Sequence, residues 1–265
     1  MKMTKRCAKP EEFTTLELMA VCGSRQIKNG DVVFIGTGLP LIAAMLAKKT
    51  HAPRAKIVYE AGFIDSNAKD IALSIADSRL GYRASAAIGL IETLGLMLQG
   101  GHVDVGFVGA AQIDEYGNIN TTYIGSFEHP TVRLPGSGGG NDIISSAKRF
   151  VVIMMHEKRK MVKKLDYLTS PGFLDGPGAR EKAGLMGNGP SLVVTNLCQM
   201  DFDPDTKRIR LATVHPGVSV QQVLENTGFD LIVPKNVQTT ELPTPEELTL
   251  LSAIDPGGIY IPRAK

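Results

Sequence analysis

Apolar and polar residues along this chain fall into blocks that switch between helical and strand periodicity, and that switching predicts an α/β order. The first helix begins at Thr14-Thr15-Leu16-Glu17, where Thr14 as N-cap and Glu17 three positions on form a capping-box pattern. Leu16, Met19, Ala20 and Ile27 then recur near helical spacing until Asn29-Gly30 stops the run. Asp31-Val32-Val33-Phe34-Ile35 is a short β-rich block that enters Gly36-Thr37-Gly38-Leu39-Pro40, and a helix is expected from Leu41 to Lys49. A strand over residues 56–60 completes a βαβ unit, the building block of a parallel sheet.

The alternation continues downstream. Residues 86–99 read as an apolar-faced helix closed by Gly100-Gly101, and residues 103–108 and 149–155 as strands covered on both faces. Tyr116-Gly117-Asn118 marks a turn. After residue 190 the pattern changes: Leu192-Val193-Val194 and residues 209–214 flank Asp203-Pro204-Asp205 and predict a hairpin, followed by helices over 219–227 and 244–253. The segment 170–190 is crowded with Gly and Pro and is long for a connection, which favours a functional or interface role. No repeat or compositional break divides the chain, so a single domain over residues 1–265 with a mixed sheet is expected.

Composition narrows the function classes. A net charge of +2 over 265 residues argues against a polyanion-binding protein, so no nucleic-acid partner is expected. The 3 cysteines (Cys7, Cys22, Cys198) are scattered and follow no zinc or disulfide spacing. A reducing cytoplasm is the simplest compartment for them. Residues 1–25 lack the apolar core of a secretory signal, and no run of apolar residues is long enough to span a membrane. The histidines are dispersed, so no metal site is expected, and no Gly-x-Ser-x-Gly elbow supports a serine hydrolase.

Three features carry candidate chemistry. Glu60 closes the apolar run Ile57-Val58-Tyr59 and precedes Ala61-Gly62; a carboxylate at the carboxyl end of a buried strand faces the crevice where open α/β sheets bind ligands. Its plain alternative is a solvated strand terminus. The turn Gly36-Thr37-Gly38-Leu39-Pro40 brings backbone N–H groups to a helix N-terminus, which suits an anion, although a ligand-free βα turn has the same spacing. It is neither a Walker A loop nor a dinucleotide fingerprint. Gly136-Ser137-Gly138-Gly139-Gly140-Asn141-Asp142 leaves its backbone unshielded, so its N–H groups can approach a reacting oxygen, and Asn141 or Asp142 is positioned to cap a short helix. The alternative there is a flexible surface loop. A basic cluster, Lys158-Arg159-Lys160 with Lys163 and Lys164, is either a phosphate site or a solvated face.

In order, these pieces resemble the family I CoA-transferases, in particular the B (β) subunits of the glutaconate branch. The resemblance runs through nearly the whole chain. It includes Gln26 to Gly30, Gly36 to Pro40, Tyr59-Glu60-Ala61-Gly62, and Gly109 to Asp114 with Gly117-Asn118-Ile119-Asn120. It continues through Gly136 to Asp142, Ser170-Pro171-Gly172, Asp175-Gly176-Pro177-Gly178 and Leu224 to Phe229. Two departures stand out: Tyr59-Glu60-Ala61-Gly62 replaces the Ser-Glu-Asn-Gly of the 3-oxoacid branch, and Gly140 occupies an alanine position of the glycine loop.

The resemblance implies an open α/β/α sandwich with a mostly parallel mixed sheet. It implies transfer of coenzyme A from an acyl-CoA to a carboxylic acid, a glutaconate-like dicarboxylate, through a glutamyl anhydride and a glutamyl-CoA thioester. Coenzyme A would be a substrate, with no separate cofactor. Catalytic roles fall to Glu60, Gly138 and Gly139, and substrate or CoA contacts to Gly36, Thr37, Gly38, Gln112, Gly117, Asn118 and Gly140. An A (α) subunit is implied as partner in a hetero-oligomer. The rival readings are an acyl-CoA hydrolase or lyase on the same scaffold, whose known examples have lost the glutamate kept here, and a non-enzymatic ligand-binding module.

Overall fold

The structure is a computed structural model that describes residues 7–9, 12–66 and 71–262; the basic residues 1–6, weighed above as part of a leader, lie outside them. Along the chain run α1 (Thr15–Ser24), β1 (Val32–Ile35), α2 (Leu39–Lys49), β2 (Lys56–Tyr59), β3 (Phe63–Ile64) and β4 (Ala86–Ala87). A π-helix (Glu92–Gln99) leads to β5 (Val105–Val108), β6 (Gln112–Ile113), β7 (Ile119–Asn120), β8 (Tyr123–Gly125) and β9 (Pro130–Arg133). Then come α3 (Gly140–Ser146), β10 (Arg149–Ile153), α4 (Ala179–Lys182), β11 (Pro190–Val194), β12 (Cys198–Phe202) and β13 (Ile209–Val214). The chain closes with α5 (Val220–Glu225), β14 (Gln238–Thr239) and α6 (Pro245–Ile254). The architecture is the open α/β sheet with parallel central strands that the family resemblance implies. No helix among the described residues is long and apolar enough to cross a membrane.

The chain forms two compact units, one from the residues up to Thr93 and from Glu241 onward, the other from Leu94 to Thr240. In the first, β1 and β2 pair in parallel, joined by the α2 crossover, and β3 and β4 add antiparallel strands beyond β2. Helices α1, α2 and α6 pack on one another. The core of this unit includes Leu18, Val33, Phe34, Ile42, Leu46, Ile57 and Val58, all fully buried. The capping box of α1 forms as expected, with Thr14 N–H donating to Glu17 Oε2 (2.7 Å). The helix ends at Ser24, short of Asn29-Gly30, because Arg25 turns away to donate to the Glu241 and Leu242 carbonyls and to Glu247. A tertiary pull on a guanidinium overrides the helical spacing there.

In the second unit β5, β10 and β11 are parallel neighbours, and β12, β13 and β14 extend the sheet. The expected hairpin between 192–194 and 209–214 is replaced by three strands. β12 lies between them, pairs antiparallel with both, and joins β13 through the Asp203 turn. Only Cys198 and Met200 of β12 are buried, so its Gln and Asp hide the strand signal. The expected helix over 86–99 begins only at Leu90, because Ala86-Ala87 pair with β3 and Ile88 N–H donates to the Gly62 carbonyl (3.0 Å). Sheet pairing wins over helical periodicity where both compete for the same backbone.

Two buried imidazoles stitch the ends of β10, β11 and β13. His156 Nε2 lies 3.0 Å from Thr227 Oγ1, and His156 Nδ1 lies 3.6 Å from Cys198 Sγ. The single hydroxyl protons of Thr195 and Thr227 go to the Cys198 and Val223 carbonyls. His156 Nε2 therefore donates to Thr227, which leaves Nδ1 as an acceptor facing Thr195 Oγ1 (3.2 Å) and the Cys198 thiol. Burial pushes that thiol up to about 12 and keeps it protonated. His215 bonds Thr240 Oγ1 (2.9 Å) and the Thr195 carbonyl (2.7 Å).

Burial lowers His156 from 6.5 to about 4. A depressed histidine favours the neutral form in the fold, so its stabilisation is complete above pH 6.5 and is lost as pH falls through about 4. Asp114, raised by burial to about 6, works in the opposite sense, being most favourable below its ordinary value of 3.8. The comparison with a variant therefore isolates the histidine. Between pH 7 and pH 4 the wild type should lose on the order of 3 kcal/mol more stability than His156→Gln, read by denaturant unfolding. Equal acid sensitivity of the two proteins would contradict the buried neutral imidazole.

Candidate active site

Parallel pairing sends strand ends of the same kind to one edge, and in the first unit this juxtaposes two candidate elements. Ile35 pairs with Tyr59, so Gly36 and Glu60 leave the sheet side by side, about 4.8 Å apart along the strand-to-strand direction. Glu60 is half-buried. It sits in a tight turn closed by Gly62 N–H to the Tyr59 carbonyl (2.8 Å). Gly62 is obligatory there: its φ is +95°, and an added Cβ would lie 1.9 Å from the Ile88 carbonyl oxygen. Gly36, Thr37 and Gly38 form the half-buried step into α2, whose N-terminus carries no side-chain cap and has Pro40 in its first turn. A cavity of about 350 Å³ nearby is lined by Leu41, Met45, Ile57, Tyr59 and Lys48, but Glu60 is not part of its wall.

In the second unit the glycine loop is anchored through a polar chain. Gly136 N–H donates to the Thr121 carbonyl (2.8 Å), Thr121 N–H to Thr169 Oγ1 (2.9 Å), and Asn141 Nδ2 to the Thr169 carbonyl (2.9 Å). Asn120, fully buried, donates from Nδ2 to Gln112 Oε1 and to the Tyr123 carbonyl, each at 2.7 Å. Gln112 Nε2 in turn donates to Asp166 Oδ2 (2.7 Å). Gln112 is thus held rigidly, with one amide N–H left over.

The three loop glycines are not equivalent. Gly138 has φ +48°, is exposed, and its N–H has no partner among the described residues. Gly139 is buried as the N-cap of α3. Gly140 N–H donates to the Ser137 carbonyl (2.8 Å) and is therefore occupied. Neither Asn141 nor Asp142 caps α3: Asn141 bonds Thr169, and Asp142 accepts from Gln99 (3.1 Å). The N-cap position falls on Gly139, which has no side chain to accept from the first turn, so α3 starts without a side-chain cap.

Gly117 and Asn118 belong to a different arrangement. Asn118 Oδ1 accepts from Gly172 N–H (2.8 Å) and Leu174 N–H (3.0 Å), and Nδ2 donates to Asp114 and to the Leu174 carbonyl. Gly117 abuts Phe202 and Pro190. Both residues fold the 170–176 segment onto the turn, with no polar atom of Asn118 left over for a ligand beyond these bonds. Asp166 and Thr169 were not singled out from the sequence, and Asn120 and Asn141 were named there only within their motifs, Asn141 as a possible helix cap. Asn118 and Asn120 look equivalent in Gly-Asn-Ile-Asn, and only the contacts separate them. Among the described residues no group of three or more His, Cys, Asp or Glu could hold a metal ion.

Comparison with known proteins gives concordant results. A family model described as Coenzyme A transferase matches residues 16–226. The chain is 44% identical to the B subunit of the glutaconate CoA-transferase of Acidaminococcus fermentans over 94% of this chain and 95% of that protein. It is 42% identical to the B subunit of the 3-oxoadipate CoA-transferase of Pseudomonas knackmussii, covering 92% and 94%. The crystal structure of glutaconate coenzyme A-transferase from Acidaminococcus fermentans superposes with a TM-score of 0.89 at 42% identity, covering 96% of this chain and 98% of that one.

Replacing the obligatory glycine tests the turn that holds Glu60. Gly62→Ala should lower unfolding free energy by about 2 kcal/mol or more, from both the positive φ and the backbone clash. Thermal denaturation measures it, and a melting temperature equal to that of wild type would show that the turn relaxes freely.

Proposed function

The chain belongs to the coenzyme A transferase family, and from that premise we propose that it works with an A subunit to move coenzyme A between carboxylates by way of Glu60. The observation that carries this reading is the placement of Glu60. A half-buried carboxylate stands at the carboxyl end of β2, beside the Gly36 turn, in a turn that only glycine at 62 permits.

The chemistry balances without an external reagent. A Glu60 carboxylate oxygen attacks the thioester carbonyl; the C–S bond breaks, and CoA leaves as thiolate from an acyl-glutamyl anhydride. The thiolate attacks the Glu60 carbonyl carbon, which releases the first acid as carboxylate and leaves a glutamyl-CoA thioester. A second carboxylate repeats the steps in reverse. Each covalent step exchanges bonds of similar energy, the general advantage of nucleophilic catalysis. Thioester energy is conserved throughout, so CoA is substrate and no step calls for a cofactor.

Tetrahedral intermediates place negative charge on an oxygen that needs donors, and the anhydride must be kept from water. Gly138 is the proposed donor, since the residue is exposed and its N–H has no partner among the described residues, whereas that of Gly140 is occupied. Thr37, half-buried with no hydrogen bond of its hydroxyl among the described residues, and the Gly36 and Gly38 backbone are proposed contacts for substrate oxygens. Gln112 acts as a held wall rather than a mobile ligand. Relatives named for glutaconate and 3-oxoadipate support a dicarboxylate substrate, and their designation as B subunits supports an A partner. Acyl-CoA as substrate suits a cytoplasmic site of action.

Incubating the assembled enzyme with acyl-CoA and then borohydride should reduce a thioester at Glu60, detected by mass in the peptide that contains it. An active enzyme whose Glu60 peptide stays unmodified would exclude the covalent route. Glu60→Asp withdraws the carboxylate by one methylene; transfer should fall on the order of a hundredfold while hydrolysis of acyl-CoA rises relative to it. Full transfer by this variant would remove the geometric basis of the proposal.

A further inference from the structure

Helix α2 covers the strands it joins, but β3 and β4 carry the sheet past β2 with only 2 residues each. Cover there falls to the segment linking β3 to β4, and the fit leaves the cavity of about 350 Å³. A volume of that size admits a small organic molecule. Leu41, Met45, Ile57 and Leu80 give it an apolar floor. Its wall is built to stay in place. The Tyr260 hydroxyl donates to the Ala72 carbonyl (2.8 Å), and Asp77 accepts from the Leu73 and Arg79 N–H groups (3.0 Å each). Ala72 and Leu80 are themselves buried.

One polar group inside lacks its bond. Tyr59 is 4% exposed, lines the cavity, and its hydroxyl has no hydrogen-bond partner among the described residues. A buried phenol ordinarily finds such a partner, because little water reaches it. Burial and the nearby Asp65 carboxylate hold its proton affinity well above the ordinary value, so the group is a donor at neutral pH. Asp65 itself accepts from both Lys48 and Lys56, which offset its charge, and Lys48 also donates to the Ala55 carbonyl (2.9 Å). Lys49 lines the same cavity, is exposed, and has no partner among the described residues.

These groups select the ligand. A donor hydroxyl and an unpaired ammonium in one cavity suit an anionic acceptor, and the apolar floor suits hydrocarbon. A bare inorganic anion would leave that floor uncovered, and a dicarboxylate would strand its second charge there. We propose that this cavity binds a medium-chain aliphatic monocarboxylate, its head group on the Tyr59 hydroxyl and the Lys49 ammonium and its chain along Leu41, Met45 and Ile57. Glu60 does not line the cavity, so the site is separate from the transfer chemistry and stands independently of it. Its preference for a single charge also sets it apart from the dicarboxylate proposed as transfer substrate.

Calorimetric titration of the assembled enzyme with octanoate tests the assignment. Wild type should bind octanoate, with octan-1-ol and octanedioate each about tenfold weaker. Tyr59→Phe removes only the hydroxyl and should raise Kd for octanoate about tenfold. Lys49→Met should raise it about threefold, the smaller effect of an exposed cation. Octanoate should raise the Tm of wild type more than that of Tyr59→Phe. The ligand-free melting temperatures of the two should agree, because the hydroxyl bonds nothing in the free protein; a purely structural hydroxyl would lower that of the variant. Glu60→Gln should bind octanoate as wild type does, whether or not Glu60 is the nucleophile. Absence of binding by wild type at millimolar octanoate, or undiminished binding by Tyr59→Phe, would overturn the proposal. Loss of binding in Glu60→Gln would overturn it as well, by placing octanoate at the transfer site.

Discussion

Parallel strand pairing is the constraint from which the chemistry of this chain follows. Two parallel strands cannot be joined by a tight turn, so a crossover such as α2 must carry the chain back to the starting edge. Every carboxyl end then emerges on the same side. In the first unit this rule, with the register Ile35 to Tyr59, sets the Gly36 turn beside Glu60. Neither residue needs the other to choose its position. The hydrogen-bond ladder supplies the juxtaposition, and Gly62 turns the chain sharply enough to keep the carboxylate at the sheet edge.

The second unit solves a different problem, that of holding a glycine-rich loop still. Glycine backbone is costly to order because it has more conformational freedom to lose. Here the loss is offset by a chain of buried amide and hydroxyl contacts running from Asp166 through Gln112 and Asn120, and by Thr121, Thr169 and Asn141 around the loop. Polar groups buried away from water must be paired, so each bond in such a network restricts its neighbours. Arg180 extends the same principle. Its buried guanidinium has no carboxylate partner among the described residues and instead donates to the Pro171, Gly172, Ile144 and Met186 carbonyls, tying the Gly- and Pro-rich segment to the end of α3. The length of 170–190, unusual for a plain connection, is thereby explained as structural clamping.

Charge is handled locally throughout. Asp65 is buried in part, which raises its proton affinity, yet Lys48 and Lys56 outweigh that effect and hold it ionised. Glu157 neutralises two of its cationic neighbours and leaves Lys158 and Lys163 facing solvent. A net charge near zero for the whole chain therefore conceals strong local asymmetry. Composition speaks to partners at the level of the molecule, whereas a ligand meets only the groups on one surface.

By itself the sequence determined the features that depend on short-range physics. The Thr14 capping box, the apolar block of β1, the α2 crossover and the continuous strands β5 and β10 are written in consecutive residues, and so is the carboxylate at the end of an apolar run. The motifs, read in order, also identified the family, because covalent chemistry constrains residue types more tightly than packing does. What tertiary structure alone decided are the cases where distant groups compete for one backbone or side chain. β12 was masked by its polar alternate positions, and Ala86-Ala87 were taken from a helix by pairing with β3. Asn118 was committed to Gly172 and Leu174, while Asn120, two residues later, went to Gln112. Nothing in a local window distinguishes those two asparagines. Their different fates follow from which donors the folded chain delivers within hydrogen-bonding distance, a condition that linear spacing does not encode.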